Sequence, residues 1–151
     1  MSKFLSCRYF IILLLPVLVY CNNQKQKRTD NIITYLGKNQ HVILNEDSIY
    51  HVAVLQNGMC GACDFSQLKF IQGLTKKQII AILQMPDSFI VNQLSSLPNV
   101  TLLMDNNYGL EKHGLSFTKS TYFIIKENRV VYHNQLTEGN YSSIAEKIKK
   151  N

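Results

Sequence analysis

The sequence predicts an α/β fold with a central mixed β-sheet flanked by helices. Three observations predict it. Two short β-branched runs, Ile49 to Gln56 and Lys77 to Gln84, bracket a stretch with helical spacing over residues 60–72, which makes a strand–helix–strand unit with parallel strands. Downstream, Thr121 to Ile125 and Arg129 to His133 flank Glu127-Asn128, the pattern of an antiparallel hairpin. An amphipathic stretch, Tyr141 to Lys150, then supplies a closing helix.

Taken in order, the 151-residue chain suits one domain with additional segments. Lys3 and Arg8 make a positive start, and Phe10 to Val19 is an apolar run too short to cross a bilayer comfortably. It ends at Leu18-Val19-Tyr20-Cys21, which resembles a bacterial lipoprotein signal in which the Cys carries the lipid; Tyr20 departs from the small residue usual there. Cys21 is therefore the expected lipid-attachment site, and residues 1–21 the signal. A cleaved signal with soluble release and an uncleaved N-terminal anchor are the alternatives, and all three put the domain outside the cytoplasm. Residues 22–30 are polar and read as a tether. The tether and an N-terminal extension are expected to occupy 22–40, and the folded domain 41–151. Within 31–49 there are two apolar patches, Ile32-Ile33 and Val42-Ile43-Leu44, the second a candidate short strand before the turn-like Asn45-Glu46-Asp47-Ser48.

Ile49 to Gln56 turns continuously apolar in its second half, as a strand covered on both faces does. In the helix that follows, Phe65, Leu68 and Ile71 share the expected buried face, Gln67, Lys69 and Gln72 point elsewhere, and Gly73 is the expected C-cap. Pro86-Asp87 opens the next helix, with Phe89, Ile90, Val91 and Leu94 as its apolar residues. Val100 to Met104 reads as a strand, and Leu110 to His113 as a helical turn or two stopped by Gly114. In the last helix Ile144, Ala145 and Ile148 face inward.

The formal charge is +6, and without Lys3 and Arg8 of the signal it is +4. The basic residues are scattered apart from Lys25-Gln26-Lys27-Arg28 and the group Lys147, Lys149, Lys150. These read as a solubilising linker and a solvated helix end, so no nucleic-acid partner is expected. Of the four cysteines, Cys7 lies in the signal and Cys21 is the lipid candidate, which leaves Cys60 and Cys63 for the domain. A structural zinc needs four ligands. No second cysteine pair exists, and His41, His51, His113 and His133 are spread singly, so neither metal nor other cofactor is expected.

The chemistry centres on Met59-Cys60-Gly61-Ala62-Cys63-Asp64-Phe65, a dithiol at a strand-to-helix turn. The order of elements from about residue 41 to 151, with Cys60 and Cys63 at that turn, resembles the thioredoxin-like family. The exported, membrane-tethered TlpA-like reductases are the subgroup it is most similar to. The resemblance rests also on Val54-Leu55, the Val100 to Asp105 segment, Gly109 to Leu115 and the run Thr121 to Val131. It implies a thioredoxin-like fold and thiol–disulfide exchange in the bacterial cell envelope, on the periplasmic side. Its partners would be protein disulfides, an upstream redox protein and, through the lipid, the membrane. Cys60 would be the exposed nucleophile, because a free thiol titrates near ~8.5 and a helix N-terminus stabilises its thiolate. Cys63 would be the resolving thiol, and Met59, Gly61, Ala62, Lys119, Ser120 and Thr121 the surface that holds the substrate. Asp64 reads as a favourable charge in the helix's first turn, with proton transfer as the alternative.

Four positions depart from the family pattern. Met59 stands where Trp is usual, Val54 where some members bury an acid, and Ser66 where many tethered reductases carry Glu. The cis-proline before the hairpin is replaced by Ser120, or by Lys119 when counted from Gly114. A cis bond without proline costs about 2.5–4 kcal/mol, so a trans peptide is expected. Two other readings stay open: an accessory or binding lipoprotein whose Cys60–Cys63 bond is only structural, and a metal chaperone holding a soft ion between the two thiolates. The lipid assignment is tested by metabolic labelling with a fatty-acid analogue. Cys21→Ser is expected to abolish the label, and undiminished labelling of that variant would sink the assignment.

Overall fold

The computed structural model describes residues 31–56, 61–85 and 87–150, and for residues 61–63 the backbone alone. A first helix, α1, covers residues 31–39. There follow β1 (Ile49–Leu55), α2 (Gly61–Gln72), β2 (Ile79–Leu83), α3 (Ser88–Ser95), β3 (Val100–Met104) and α4 (Gly109–Lys112). The hairpin β4 (Thr121–Lys126) and β5 (Arg129–Gln135) leads through a 3-10 turn (Glu138–Asn140) into α5 (Tyr141–Lys150).

The five strands form one sheet in the order β3-β2-β1-β4-β5. β1 lies at its centre, parallel to β2 and antiparallel to β4, while β2 is parallel to β3 and β4 antiparallel to β5. The period-2 alternation of strand side chains splits the core in two. On one face Ala53, Leu55, Ile79, Leu83, Tyr122 and Ile124 pack with Leu68 and Ile71 of α2, Ile90 and Leu94 of α3, and Ile144 and Ile148 of α5. On the other, Val52, Val54, Ile82, Phe123 and Ile125 meet Ile32, Tyr35 and Leu36 of α1 and Leu110 of α4. β1 and β2 are therefore apolar at nearly every position because both their faces are covered.

Local signals in the sequence set several boundaries. Asp87 caps α3, its Oδ1 accepting the backbone N–H of Phe89 at 2.9 Å and of Ile90 at 3.2 Å. Glu127 and Asn128 both have positive φ, 52° and 53°, as the central residues of a type I′ hairpin turn require. Gly114, at φ +69°, ends the short α4 segment. In the hairpin Ile124 pairs with Tyr132 and Ile125 with Val130, so β5 carries Val131 as an extra, bulged residue, and its side chain is exposed.

The structure differs from the sequence reading in four places. Val42-Ile43-Leu44 is not a strand: the chain is irregular there, and Ile43 is 91% exposed. The packed body reaches back to α1, ahead of the expected start at residue 41, because Ile32, Tyr35 and Leu36 fall at i, i+3 and i+4 and close the second core. Phe65 leaves the buried stripe of α2 and lies against Lys69, whose Nζ is 4.8 Å from the ring centroid. Gln67 takes the buried place instead. Phe89, at the start of α3, is likewise exposed, and only Ile90 and Leu94 of that helix are fully buried.

Asp105 and His51 are two of the buried polar residues. Asp105 follows β3 and accepts from the Tyr35 hydroxyl and from the N–H groups of Gly109 and Leu110. His51 of β1 is 2% exposed, and its Nδ1 is hydrogen-bonded to the Tyr122 hydroxyl at 3.0 Å. Burial, with a smaller contribution from the nearby Lys77, lowers the His51 pKa from 6.5 to about 4. Between those values the unfolded chain binds the extra proton, so the stability from the neutral ring is complete above pH 6.5 and declines as pH falls toward 4. Melting temperature followed across this window should drop, and His51→Gln should flatten the drop; an unaltered slope would contradict the linkage.

Candidate active site

Of the residues expected to do chemistry, those described lie at the start of α2 and in the segment leading into β4. Cys60 and Met59 lie outside the described residues, as does the lipid candidate Cys21. Gly61, Ala62 and Cys63 are the first three residues of α2, which begins shortly after β1 ends at Leu55. Their side chains are also outside the described set. Asp64 follows in the first turn of the helix, where its charge is favoured by the aligned peptide dipoles.

Lys119, Ser120 and Thr121 are described in full, and Ser120 is central. The Gln56 backbone N–H donates to Ser120 Oγ at 2.8 Å, and Ser120 Oγ donates to Gln67 Oε1 at 2.7 Å. The Ser120 carbonyl accepts the Leu136 N–H at 2.7 Å. One residue thus joins the end of β1, the second turn of α2 and the exit of β5. Gln56 extends the network through its side-chain amide, which donates to Gln84 Oε1 at 2.9 Å and to the Phe117 carbonyl. No cis peptide occurs among the described residues, so the Lys119–Ser120 bond is trans. Thr121 Oγ1 donates back to the Lys119 carbonyl at 3.0 Å, while the Lys119 side chain is exposed.

This segment is a wall between two cavities. One, of about 450 Å³, lies between Thr118, Lys119 and Thr121 and the hairpin residues Phe123 and His133. The other, of about 430 Å³, lies on the α2 side. Asp64, Ser66 and Gln67 of α2 line it together with Lys119 and Ser120, and Leu136, Glu138 and Tyr141 complete it. Ser66 Oγ donates to Glu138 Oε1 at 2.8 Å, which fixes a carboxylate at the cavity. The Tyr141 ring stacks on Phe70 of α2 with centroids 4.8 Å apart, and Phe70 meets Tyr122 edge-on.

Lys119 and Ser120 therefore stand beside the opening turns of α2, and Thr121 faces the neighbouring cavity. Sequence reasoning missed Gln56, Gln67 and Glu138. Gln67 had a signal: it lies four residues before Ile71 and one before Leu68, on the edge of the buried stripe. Val54 is fully buried among apolar side chains. Among the described residues no group of three or more His, Cys, Asp or Glu could hold a metal ion. No described helix is long and apolar enough to cross a membrane.

Removing the Ser120 hydroxyl should leave the Gln56 N–H and the Gln67 amide oxygen without their partner. Ser120→Ala is expected to cost about 1–3 kcal/mol in urea or thermal unfolding. An unchanged unfolding midpoint would show that the chain of bonds carries no weight.

No protein-family model matches the sequence, and no curated protein matches it. Solved structures do match in three dimensions. A protein from Chlorobium tepidum described as a thiol:disulfide interchange protein DsbE superposes with a TM-score of 0.50 at 17% identity, over 70% of this chain and 80% of its own. The pneumococcal exposed lipoprotein thioredoxin from Streptococcus pneumoniae gives 0.50 at 15% identity, over 70% and 87%. A secreted disulfide oxidoreductase from Mycobacterium tuberculosis gives 0.51 at 10% identity, over 70% and 84%. The mixed five-stranded sheet with helices on both faces is thus a thioredoxin-like fold.

Proposed function

We propose that the protein is a thiol–disulfide oxidoreductase of the bacterial cell envelope, of the TlpA-like kind, working through Cys60 and Cys63. The observation that carries the reading is positional. Gly61-Ala62-Cys63 opens α2 just after the central strand, with the Lys119–Ser120 segment beside that helix, on a fold shared with disulfide oxidoreductases. Residues at the start of a helix meet unpaired N–H groups and the positive end of the dipole, which favour a thiolate.

In the proposed reaction the Cys60 thiolate attacks one sulfur of a substrate disulfide. A mixed disulfide forms, and the other substrate sulfur leaves as a thiolate. The Cys63 thiolate then attacks the Cys60 sulfur, closing the Cys60–Cys63 bond and releasing the second substrate thiolate. The substrate gains two electrons and the protein loses them, and a reducing partner in the envelope returns them. Cys21 carries the membrane anchor in this reading. Its support is the signal-like N-terminus together with matches to an exposed lipoprotein and a secreted oxidoreductase. Met59, Gly61, Ala62, Lys119, Ser120 and Thr121 form the surface that receives an extended substrate.

A second reading, a structural Cys60–Cys63 bond in an accessory protein, is favoured by one observation: the Val54 position is wholly apolar and supplies no proton acceptor. Trapping separates the two. Cys63→Ser is expected to accumulate mixed disulfides with envelope proteins and Cys60→Ser few or none, read on non-reducing gels; wild type should catalyse insulin reduction. Equal trapping by both variants would overturn the nucleophile assignment. No trapping by either, with no insulin reduction, would favour the structural bond.

A further inference from the structure

We infer that the 430 Å³ cavity on the α2 side of Ser120 is a specificity pocket for a basic side chain next to the substrate's reactive cysteine. This rests on the redox reading of Cys60 and Cys63 and adds the substrate class to it. The volume falls in the range of pockets that hold small ligands, ~300–1,000 Å³. Its place is suitable: Asp64, which lines it, directly follows Cys63 in the chain, and Ser120 forms the adjoining wall. In this proposal a polypeptide whose cysteine reaches the head of α2 places its neighbouring side chain in the cavity that Asp64 and Ser120 line.

The lining determines what side chain fits. Leu136 and the Tyr141 ring give it apolar wall, and the stack on Phe70 holds that ring in place. Asp64 and Glu138 supply two carboxylates, the second held by the Ser66 hydroxyl. Lys119 is the single cation among the described lining residues, so this lining is net acidic in a chain of formal charge +6. An apolar wall ending in carboxylates complements a long methylene stem with a cationic head, which is lysine or arginine. A glutamate in the same place meets like charge.

The full-length reduced protein is mixed with disulfide-linked peptides that differ only in the residue beside the cysteine: Lys, Leu or Glu. The second-order rate constant of the single turnover is then measured. The Lys peptide is expected to exceed the Glu peptide by roughly three- to fivefold, the size of a partly exposed charge pair, with the gap narrowing in high salt. The overall positive charge alone would favour the Glu peptide, so a Lys preference reports the pocket. Glu138→Gln keeps an acceptor for Ser66 but removes the charge, and should lower the Lys-to-Glu ratio roughly threefold. Glu127→Gln, on the hairpin turn at the other end of the sheet, makes the same change in net charge and should leave the ratio unaltered. Equal rates for the three peptides, or equal ratios in wild type and Glu138→Gln, would overturn the pocket while leaving the redox reading intact. No turnover of any peptide would overturn the redox reading itself.

Discussion

The end of the sheet beside which α2 begins depends on one buried hydroxyl. β1 pairs with β2 as far as Leu55 and with β4 from Val54, so the next N–H, that of Gln56, has passed beyond the ladders. A buried donor without a partner costs about 1–3 kcal/mol. Ser120 accepts it and passes its own proton to Gln67, so the satisfied group is also a tie between the central strand and α2. Its carbonyl takes the Leu136 N–H and so draws in the exit of β5. A serine with a trans peptide thereby fixes the segment beside α2 by side-chain bonding rather than by ring geometry.

This arrangement explains which parts of the molecule were legible in its sequence. Strands and helices driven by burial were. Apolar runs such as Ile79 to Leu83 have no alternative but a covered strand, and Asp87 and Glu127-Asn128 act through their own backbone neighbourhood. What escaped were residues whose role is set by a partner distant in sequence. Gln67 reads as a solvent-facing amide until Ser120, fifty-three residues on, gives its oxygen a donor. Phe65 reads as core, yet the helix places it outside the sheet-facing stripe of Leu68 and Ile71. The α1 helix had the correct spacing in Ile32, Tyr35 and Leu36, but a described length of nine residues gives a weak periodic signal until the sheet covers it.

The candidate site was legible by position rather than by contact. The spacing of Cys60 and Cys63 after an apolar strand pointed to the start of α2, and counts back from β4 and forward from Gly114 pointed to Ser120 or Lys119. The 430 Å³ cavity was not legible, because its wall comes from six stretches of chain: the end of β1, α2, the 118–120 segment, the exit of β5, the 3-10 turn and the start of α5. Glu138 illustrates the reason. In sequence it is one polar residue in a loop-like stretch, and only the folded chain brings it to Ser66.

The carboxylates at this end of the sheet divide between its two faces. On the α1 side Val54 is sealed among apolar side chains, and the nearby buried acid, Asp105, is already engaged. Its oxygens accept from Tyr35, Gly109 and Leu110, and a Cβ on Gly109 would stand 2.9 Å from Asp105 Oδ1, so glycine is needed for that approach. Burial and the adjacent Asp105 raise the Tyr35 pKa, which keeps the phenol protonated and donating. Asp105 therefore serves α1 and α4 as a fixed acceptor. The acids that reach the cavity beside α2 are Asp64 and Glu138, both on the opposite face of the sheet. The cavity with these two carboxylates thus lies on one side of the Ser120 segment, and the apolar α1 face holds the sheet.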